Sequence, residues 1–418
     1  MKSSETGRGS RRRICLLTNW YPSEQNPYFG LFFREQALAL SDRSDFLVVH
    51  YTERVRKAPW QKDRVIPVRQ EGNIAEYTIE ARVSAGTVIL DALAEKLIRR
   101  LRGEKDAAFP ERSARREKIK ARKLIRIFEA HFRDQADAFY CVDAQREAAD
   151  VQRLARHFGK PYVVGEHGPV PWPGTVIPEP QKRAVAEADA FLAISRDKIR
   201  QLMMQDIRLP RTVYIGNLVD ESRFTLREAA ERGPRTLLAV GAHSFYKNYD
   251  LMIRVLNRLT EITEVPFRVL IAGYGANRGY SRNAAELEEK IRGSAFADRA
   301  ELIPAVPHER MAELYHRADV FLMTSVQEGQ PVSALEAACC GLPVFSTRCG
   351  GVEDYVEEET GRIYEIPDAE GMAEGLKAYL EGRITFDPAK IREKTVARFG
   401  REAFGKHFAE AFGPLREE

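Results

Sequence analysis

The sequence has few cysteines and no long apolar run. Five of its 418 residues are Cys, an odd number, and no two have C-x-x-C spacing. This usage fits reduced thiols better than a disulfide framework or a zinc site. No apolar run approaches the roughly 18 residues that a membrane span needs. The basic residues 11–13 precede only a short apolar run, so no secretory signal is evident. We expect a cytoplasmic protein, with contact to the inner face of a membrane left open.

The dinucleotide-binding motif of oxidoreductases is also missing. No G-x-G-x-x-G follows a predicted strand, and the comparable glycines Gly273 and Gly275 lack a third. Because that motif seats a pyrophosphate on a helix N-terminus, its absence argues against a dinucleotide-dependent oxidoreductase.

Charge is spread unevenly along the chain. The formal net charge is +4, but residues 1–130 contain 27 Lys and Arg against 17 Asp and Glu, a net of +10, which leaves −6 for the remainder. The basic helical stretch at 96–126 suits an anionic membrane surface, although a solvated helix face explains it equally well. Interleaved aromatic side chains are missing there, so nucleic acid is not an expected partner.

Two successive alternations of strand and helix organise the chain. The first opens with a strand at 13–19, a glycine-bearing loop and a helix from Leu31, which is the signature of a parallel sheet. The pattern predicts an α/β protein with two Rossmann-like, doubly wound domains facing a central cleft. The predicted divisions are 1–219 with a basic helical segment at 86–130, a linker at 220–234, a second domain at 235–395, and a C-terminal helix at 396–418 that crosses back to the first domain.

The most informative segment covers residues 324–344. It starts at the C-terminal end of a predicted strand and passes through a tight loop with Gly329 into a helix. Ligands bind at the C-terminal ends of strands in such folds. The N–H groups of Val332 and Ser333 open the helix, where the positive end of the helix dipole attracts phosphate.

Two glutamates flank the start of this helix. Glu336 lies four residues after Val332, one turn along the same face, and can reach a ribose hydroxyl while the helix start holds a diphosphate. Glu328, on the loop, is then the residue that we expect to contact the sugar. Simple surface acids are the alternative, but the apolar neighbours of Glu336 indicate a buried carboxylate that needs a partner.

The segment resembles the group 1 family of retaining glycosyltransferases with the GT-B fold, which includes bacterial glycogen and sucrose-phosphate synthases. The resemblance rests on the E-x7-E motif from Glu328 to Glu336, inside a wider E-G-x-P-x-x-x-x-E-A-x-x-x-G-x-P-V frame, and on the glycine pair at 350–351. It covers most of residues 210–365 and is looser before them. It implies that the first domain binds the acceptor and the second the nucleotide-sugar donor.

The stretch from Gly241 to Lys247 resembles the family's G-R-x-x-x-x-K, in which Arg and Lys hold the donor phosphates. Lys247 matches the family's Lys. Ala242 stands at the Arg position, with His243 beside it as a candidate substitute.

Two positions in the first half also resemble the family. Gly30 opens a helix as the family's phosphate-facing glycine does, and His167, within Gly165-Glu166-His167-Gly168, resembles the strand-end histidine that approaches the donor sugar. The resemblance implies catalytic roles for Glu328, His167 and Lys247. It implies donor contacts from Gly30, Gly241, His243, Lys247, Glu328, Gly329, Val332, Ser333 and Glu336.

The resemblance thus implies a retaining hexosyltransferase that moves a sugar from a nucleotide diphosphate donor to a saccharide or lipid-linked acceptor, in bacterial polysaccharide or glycoconjugate synthesis. No Asp-x-Asp is present, the usual metal–diphosphate ligand of the other main glycosyltransferase fold, so neither a metal nor a cofactor is expected. Two alternatives stay open. One is an epimerase or phosphorylase on the same fold. The other is a non-catalytic nucleotide-sugar-binding partner, which the missing Arg at Ala242 favours.

Overall fold

The structure, a computed structural model, describes residues 11–22, 30–58, 60–102, 114–168, 176–227, 233–275 and 281–413. The chain divides into two compact units whose boundaries differ from the predicted ones. The first unit contains Met1–Ile194, Lys198–Ile215 and Gly405–Glu418, and the second contains Ser195–Asp197 and Gly216–Phe404.

An eight-stranded sheet forms the centre of the first unit. Its strands are β1 (Arg12–Thr18), β2 (Ser44–Val55), β3 (Arg64–Glu71), β4 (Ile74–Val83), β5 (Ala138–Cys141), β6 (Tyr162–Glu166), β7 (Ala190–Ala193) and β8 (Thr212–Tyr214). The helices in this part of the chain are α1 (Leu31–Ala39), α2 (Ala85–Arg102), α3 (Ala114–His131), α4 (Ala148–Phe158), α5 (Glu179–Ala186) and α6 (Arg196–Met203). The spatial strand order is β3-β4-β2-β1-β5-β6-β7-β8. Only β3 runs antiparallel to its neighbour, β4.

The central strands are apolar throughout because both faces of a parallel sheet are covered by helices. In β1, the run from Ile14 to Thr18 is fully buried, and it pairs in parallel with β2 and β5. The sequence pattern did not predict β3 and β4. β3 is mostly exposed and carries a proline, so it lacks the apolar signal of a buried strand. The stretch at 86–130, predicted to be helical throughout, contains α2 and α3, while residues 103–113 lie outside the described residues.

The second unit is built on six parallel strands. They are β9 (Arg235–Val240), β10 (Phe267–Ala272), β11 (Ala300–Ile303), β12 (Val320–Met323), β13 (Val344–Thr347) and β14 (Gly361–Tyr364). The helices are α7 (Tyr249–Ile262), α8 (Ser281–Arg292), α9 (Met311–His316), α10 (Val332–Cys339), α11 (Ala369–Leu380), α12 (Pro388–Phe399) and α13 (Arg401–Phe412). The strand order is β11-β10-β9-β12-β13-β14. Both units are therefore doubly wound α/β domains, as the sequence predicts.

The order of the strands reverses once in each sheet. In the first unit the reversal lies between β1 and β5, and in the second it lies between β9 and β12. At such a switch point the loops leaving the two strands diverge to opposite faces and leave room for a ligand at the carboxyl edge. Five of the ten predicted site residues lie in the loops after β9 and β12, and three more lie in α10, the helix that follows β12.

Two segments of the chain lie next to the boundaries between the units. The second half of α13 packs in the first unit, where the Phe408 ring lies 6.0 Å from that of Phe46 and 5.6 Å from that of Tyr140. Residues 220–227, predicted as part of a linker, belong to the second unit. There Phe224 is buried, with its ring 5.8 Å from that of Tyr315.

The described part of the chain contains no helix that combines the length and the apolarity needed to cross a bilayer. All five cysteines are buried free thiols.

Candidate active site

The switch point of the second unit brings Lys247 and Glu328 into contact. Lys247 ends a short 3-10 turn after β9, and Glu328 lies in the loop after β12. The Lys247 Nζ donates to Glu328 Oε1 over 2.8 Å, with the two side chains 22% and 17% exposed. The two loops are also joined directly, because the Val326 N–H donates to the Tyr246 carbonyl over 2.8 Å. A partly open ion pair therefore occupies the carboxyl edge of the sheet.

The carboxylate of Glu328 is held by its own loop as well. The Ser325 hydroxyl donates to Glu328 Oε1 over 2.8 Å, and the Glu328 N–H donates to the Cys349 carbonyl over 2.7 Å. The sequence analysis missed Ser325. Its position three residues before Glu328 in the same loop is the signal that could have found it, because Ser side chains bond within loops at this spacing.

The glycine pair at 350–351 supports this loop from the other side. Gly351 has a φ of +69°, and a Cβ there would lie 2.2 Å from the Gly329 carbonyl oxygen. Gly350 has a φ of +86°, and a Cβ there would lie 3.0 Å from the Glu328 carbonyl oxygen. Only glycine allows this backbone to approach so closely. The loop conformation that aims Glu328 thus depends on a turn more than twenty residues downstream.

Gly241 and His243, both predicted donor contacts, have different surroundings. A Cβ on Gly241 would lie 2.7 Å from Lys247 Cε, so the Lys247 stem crosses this glycine. The His243 ring stacks on Tyr249, with centroids 5.4 Å apart and planes inclined by 10°. Its Nδ1 is buried and has no hydrogen-bond partner within the described ranges.

The His243 imidazole is poorly suited to replace an arginine. Burial lowers its pKa, and the nearby Lys290 lowers it further, against the opposing effects of Asp250 and Glu286. These charges belong to α7 and α8, not to the loop of Glu328. A neutral His243 could donate one hydrogen bond to a phosphate but would not supply the missing positive charge.

The N-terminus of α10 starts three residues after Gly329. Pro331 is its N-cap and makes no side-chain capping bond. Val332 and Ser333 follow, and their N–H groups have no protein partner among the residues that the structure describes. The first N–H groups of any helix lack an intrahelical acceptor, so these two are available to an anion.

Glu336 is buried in the second turn of α10, at 5% exposure. The Tyr315 hydroxyl donates to its Oε2 over 2.6 Å, and His308 Nε2 lies 3.4 Å from its Oε1. Arg223 Nη1 lies 2.8 Å from His308 Nδ1. Because a guanidinium only donates, Nδ1 accepts, and Nε2 carries the proton that faces Glu336.

The hydrogen-bond partners of Glu336, Tyr315 and His308, could not be predicted from the sequence pattern. The buried carboxylate was predicted to need a partner, but neither Tyr315 nor His308 was named. Burial and the Glu336 carboxylate together raise the pKa of Tyr315 well above its ordinary value, which keeps the phenol a hydrogen-bond donor. Each oxygen of Glu336 keeps a further acceptor position, so a diol could still bind to it.

Gly30 lies in the first unit, immediately before α1. It has a φ of +71°, and a Cβ there would lie 2.4 Å from the Trp20 carbonyl oxygen. No side chain caps α1. Gly30 therefore allows the start of α1 to lie against the Trp20 carbonyl and places no side chain over the N-terminus of the helix.

His167 follows β6 in the same unit. Its N–H donates to the Val142 carbonyl over 3.1 Å, and its ring packs edge-on against Phe33 at 5.0 Å. The preceding residue, Glu166, is completely buried. Burial and the neighbouring Asp143 raise the pKa of Glu166 to about 8, although Lys198 opposes the shift. The sequence alone predicted no role for Glu166. The only sequence feature that could have indicated one is the position of Glu166 next to His167.

Comparisons with known proteins bear on the family and the fold. Residues 222–403 match the family model described as glycosyl transferases group 1. A D-inositol 3-phosphate glycosyltransferase of Geodermatophilus obscurus is 33% identical over 224 residues, which are 49% of this chain and 50% of that protein. A glycogen synthase of Mycobacterium tuberculosis is 28% identical over 229 residues, 54% of this chain and 51% of that protein. The chain thus spans about half the length of the curated relatives that it matches.

Solved structures match over nearly the whole chain. An α,α-trehalose-phosphate synthase (UDP-forming) of Burkholderia xenovorans matches with a TM-score of 0.71 at 15% identity, covering 96% of this chain and 100% of that one. A lipopolysaccharide outer core galactosyltransferase matches with a TM-score of 0.66 at 15% identity, covering 96% of this chain and 98% of that one. At these identities the similarity shows the fold alone. It confirms the predicted pair of Rossmann-like domains and the GT-B class.

Residues 222–403, which contain Lys247, Glu328 and Glu336, are thus similar to the group 1 glycosyl transferases, and the fold of the chain is that of the GT-B class.

Proposed function

We propose that the protein transfers a sugar from a nucleoside diphosphate donor to a hydroxyl of an acceptor, with retention of anomeric configuration and without a metal ion. The observation that carries the proposal is the Lys247–Glu328 ion pair, at 2.8 Å, at the switch point of the second sheet. A cation and a carboxylate side by side match a substrate that presents a diphosphate next to a polyol.

The diphosphate would bind to Lys247 and to the start of α10. When the donor is cleaved, negative charge grows on the leaving diphosphate, and one preorganised donor of this kind typically contributes about 3–4 kcal/mol in the transition state. The N–H groups of Val332 and Ser333 add the positive end of a helix dipole. His243 would add a neutral hydrogen bond, because burial lowers its pKa.

The two glutamates would divide the remaining parts of the donor. Glu328 would accept hydrogen bonds from the sugar hydroxyls and favour positive charge at the anomeric carbon. Glu336, held by Tyr315 at 2.6 Å, would accept from the ribose hydroxyls. Gly329 keeps the loop small enough for the sugar to approach.

The first unit would supply the acceptor side. We assign Gly30 to the donor phosphates and His167 to the orientation of the transferred sugar, as the resemblance implies.

The names of the relatives range from an inositol 3-phosphate glycosyltransferase to a glycogen synthase. They support a hydroxyl-bearing acceptor, and we propose that it is a saccharide or a lipid-linked molecule.

Retention would follow from attack on the same face that the leaving group departs from, with the leaving phosphate taking the acceptor proton. This route needs no strong general base. A double displacement would need a carboxylate nucleophile, and we assign Glu328 to the sugar hydroxyls instead of to that role.

The test begins with a thermal-shift screen of nucleoside diphosphate sugars, followed by transfer assays with the donor that stabilises the protein. We expect transfer that survives EDTA and a product whose anomeric proton coupling matches the donor by NMR. Formation of an epimer from donor alone would favour an epimerase, and phosphate-dependent turnover would favour a phosphorylase. If no nucleotide sugar binds, the proposal fails.

We also propose that α2 contacts an anionic membrane surface. Ile89, Leu90 and Leu93 are each 58% exposed on this helix, and Lys96, three residues after Leu93, is exposed as well. In contrast, several cations of α3 are engaged within the first unit. These pairs are Arg116–Glu53, Lys120–Asp150 and Lys123–Asp63. An apolar patch beside basic residues is typical of helices that lie in a bilayer interface.

Sedimentation with phosphatidylglycerol-containing vesicles tests this membrane proposal. Wild-type protein should bind and should be released by salt. Replacement of Ile89, Leu90 and Leu93 by Gln should reduce the bound fraction at least fivefold. Met204→Gln, which changes a side chain that is 76% exposed outside α2, serves as the control. Equal binding to neutral vesicles, or none to anionic ones, would refute it.

A further inference from the structure

Two buried ionisable side chains form hydrogen bonds with the backbone N–H and carbonyl groups of Gly168. The Gly168 N–H donates to Glu166 Oε1 over 2.6 Å, and the Gly168 carbonyl accepts from Lys198 Nζ over 2.6 Å. Glu166 is 0% exposed and Lys198 is 1% exposed. They come from different elements, because Glu166 ends β6 and Lys198 lies in the first turn of α6.

Burying such groups is costly, so their use needs an explanation. Removing a carboxyl group or an ammonium group from water costs several kcal/mol unless hydrogen bonds compensate for it. An apolar residue at the end of β6 would fill the same space without that cost. Here, each group makes a short bond to the single glycine that follows His167.

The hydrogen bonds from Glu166 and Lys198 to Gly168 fix the backbone on the C-terminal side of His167. On the N-terminal side, the His167 N–H is already held by the Val142 carbonyl at 3.1 Å. A side chain at position 168 is excluded, because a Cβ there would lie 2.8 Å from Glu166 Oε1 and 3.4 Å from the Trp20 ring. With the backbone held on both sides, the direction of the Cα–Cβ bond of His167 is fixed, and from there the ring packs edge-on against Phe33.

We propose that Glu166 and Lys198 are positioning residues that hold the His167 imidazole in place through the peptide groups of Gly168. The inference rests on the proposed role of His167 at the transferred sugar. It adds two residues to that role and explains why a buried lysine and a buried glutamate lie beside the strand end.

Four substitutions in the full-length protein test the proposal. Lys198→Met removes the bond to the Gly168 carbonyl, and Glu166→Leu removes the acceptor for the Gly168 N–H. Glu166→Gln keeps that acceptor and should rescue. Lys120→Met is the matched control, because Lys120 is also buried and paired with a carboxylate, Asp150. Lys120→Met should lower stability without changing His167.

Two measurements read the result. The first is the His167 ring signal in NMR spectra of histidine-labelled protein, assigned by comparison with His167→Ala. It should shift or broaden in Lys198→Met and Glu166→Leu, and it should stay in place in Glu166→Gln and Lys120→Met. The second is kcat with the donor found by thermal shift, which should fall at least tenfold in the first pair with donor KM nearly unchanged.

The outcomes separate this inference from the proposed function. If His167→Ala keeps wild-type turnover, the proposed role of His167 fails, whereas the ring signal still reports on the positioning. If His167→Ala loses turnover but Lys198→Met and Glu166→Leu keep both the ring signal and kcat, the positioning inference is refuted. Glu166→Leu carries the test if Lys198→Met does not fold.

Discussion

The Lys247 ammonium and the Glu328 carboxylate form an ion pair 2.8 Å long, although the two residues are 81 positions apart in the chain. Each is the counter-ion of the other in the free protein. An incoming diphosphate would compete with Glu328 for the same ammonium. Donor binding should therefore loosen this pair and leave the carboxylate to the sugar hydroxyls.

Replacement of Glu328 by Gln tests the role of the charge. The amide keeps the size of the side chain and can still accept from Ser325, but it cannot favour positive charge at the anomeric carbon. We expect turnover to fall by about 10²-fold or more, which is typical of losing one electrostatic contact in the transition state. Donor affinity should change little. Near-normal kcat in a steady-state assay would contradict the role.

Lys247→Met should affect binding and turnover together. Without the ammonium, the diphosphate loses its principal cation, because His243 is neutral. We expect a loss of about 10²-fold or more in kcat and a weaker donor affinity by calorimetry. Lys390→Met is a suitable control, since Lys390 belongs to an exposed ion pair with Glu359, away from the donor contacts. If both variants bind the donor equally well, Lys247 does not hold the phosphates.

The partners of Glu336 predict a graded loss of nucleotide binding. Glu336→Ala removes the acceptor for the ribose and should weaken binding at least tenfold. Tyr315→Phe leaves the carboxylate without one donor, and a lost buried hydrogen bond of this kind costs about 1–3 kcal/mol. It should weaken binding by a smaller factor.

Tyr379→Phe is the control for Tyr315→Phe. The Tyr379 hydroxyl also donates within the same unit, to the Asp319 carbonyl at 2.9 Å. This variant should lose stability but keep nucleotide affinity. Unchanged calorimetric binding in Glu336→Ala would argue against the ribose assignment.

Gly351→Ala should disrupt the Glu328 loop from a distance. The methyl group would lie 2.2 Å from the Gly329 carbonyl oxygen, so the loop must move. Gly382 has a similar φ, +74°, with nothing within 4 Å of its Cβ, and Gly382→Ala should cost only the left-handed backbone penalty of about 1–2 kcal/mol. We expect Gly351→Ala to lose more stability in urea unfolding, and also to lose turnover. Equal effects of the two substitutions would show that the close approach does not matter.

The buried Glu166 predicts how stability depends on pH. Burial and Asp143 raise its pKa from 4.5 to about 8, and the pKa values of Asp143 and Glu147 are raised as well. Between pH 4.5 and 8 the folded protein therefore holds protons that the unfolded chain releases, so the free energy of unfolding falls as the pH rises. Glu166→Gln removes one such proton and should make the decline shallower.

Urea unfolding at pH 5, 7 and 9 measures this effect. Relative to wild type, Glu166→Gln should gain stability between pH 5 and pH 9, by about 1–3 kcal/mol. Asp137→Asn is a control that should leave the slope unchanged, because the bonds from Arg13 hold the pKa of Asp137 below its ordinary value, despite partial burial, so that this carboxyl is ionised in both the folded and the unfolded protein between pH 5 and pH 9. A pH profile of Glu166→Gln that parallels wild type would show that Glu166 is ionised in the folded protein.

Sequence reasoning worked best where local pattern and global fold demand the same residues. The strand predicted at 13–19 is β1, at Arg12–Thr18, and the helix predicted from Leu31 begins at that residue. It failed at β3 and β4, because an edge pair with one exposed strand carries no continuous apolar run. The boundary between the units also moved, since residues 216–219 make their contacts in the second unit.

The sequence by itself determined the class of fold and the similarity of residues 222–403 to the group 1 glycosyl transferases, and it predicts the glutamate pair, because strand periodicity and the E-x7-E spacing are properties of neighbouring residues. Only the tertiary structure decided which side chains meet. Lys247 reaches Glu328 because the strand order reverses between β9 and β12, and Tyr315 reaches Glu336 because α9 packs beside α10. It likewise turned His243 toward Tyr249 and away from a cationic role. Such contacts depend on how segments that are distant in sequence pack together, so they cannot be predicted from the spacing of residues along the chain.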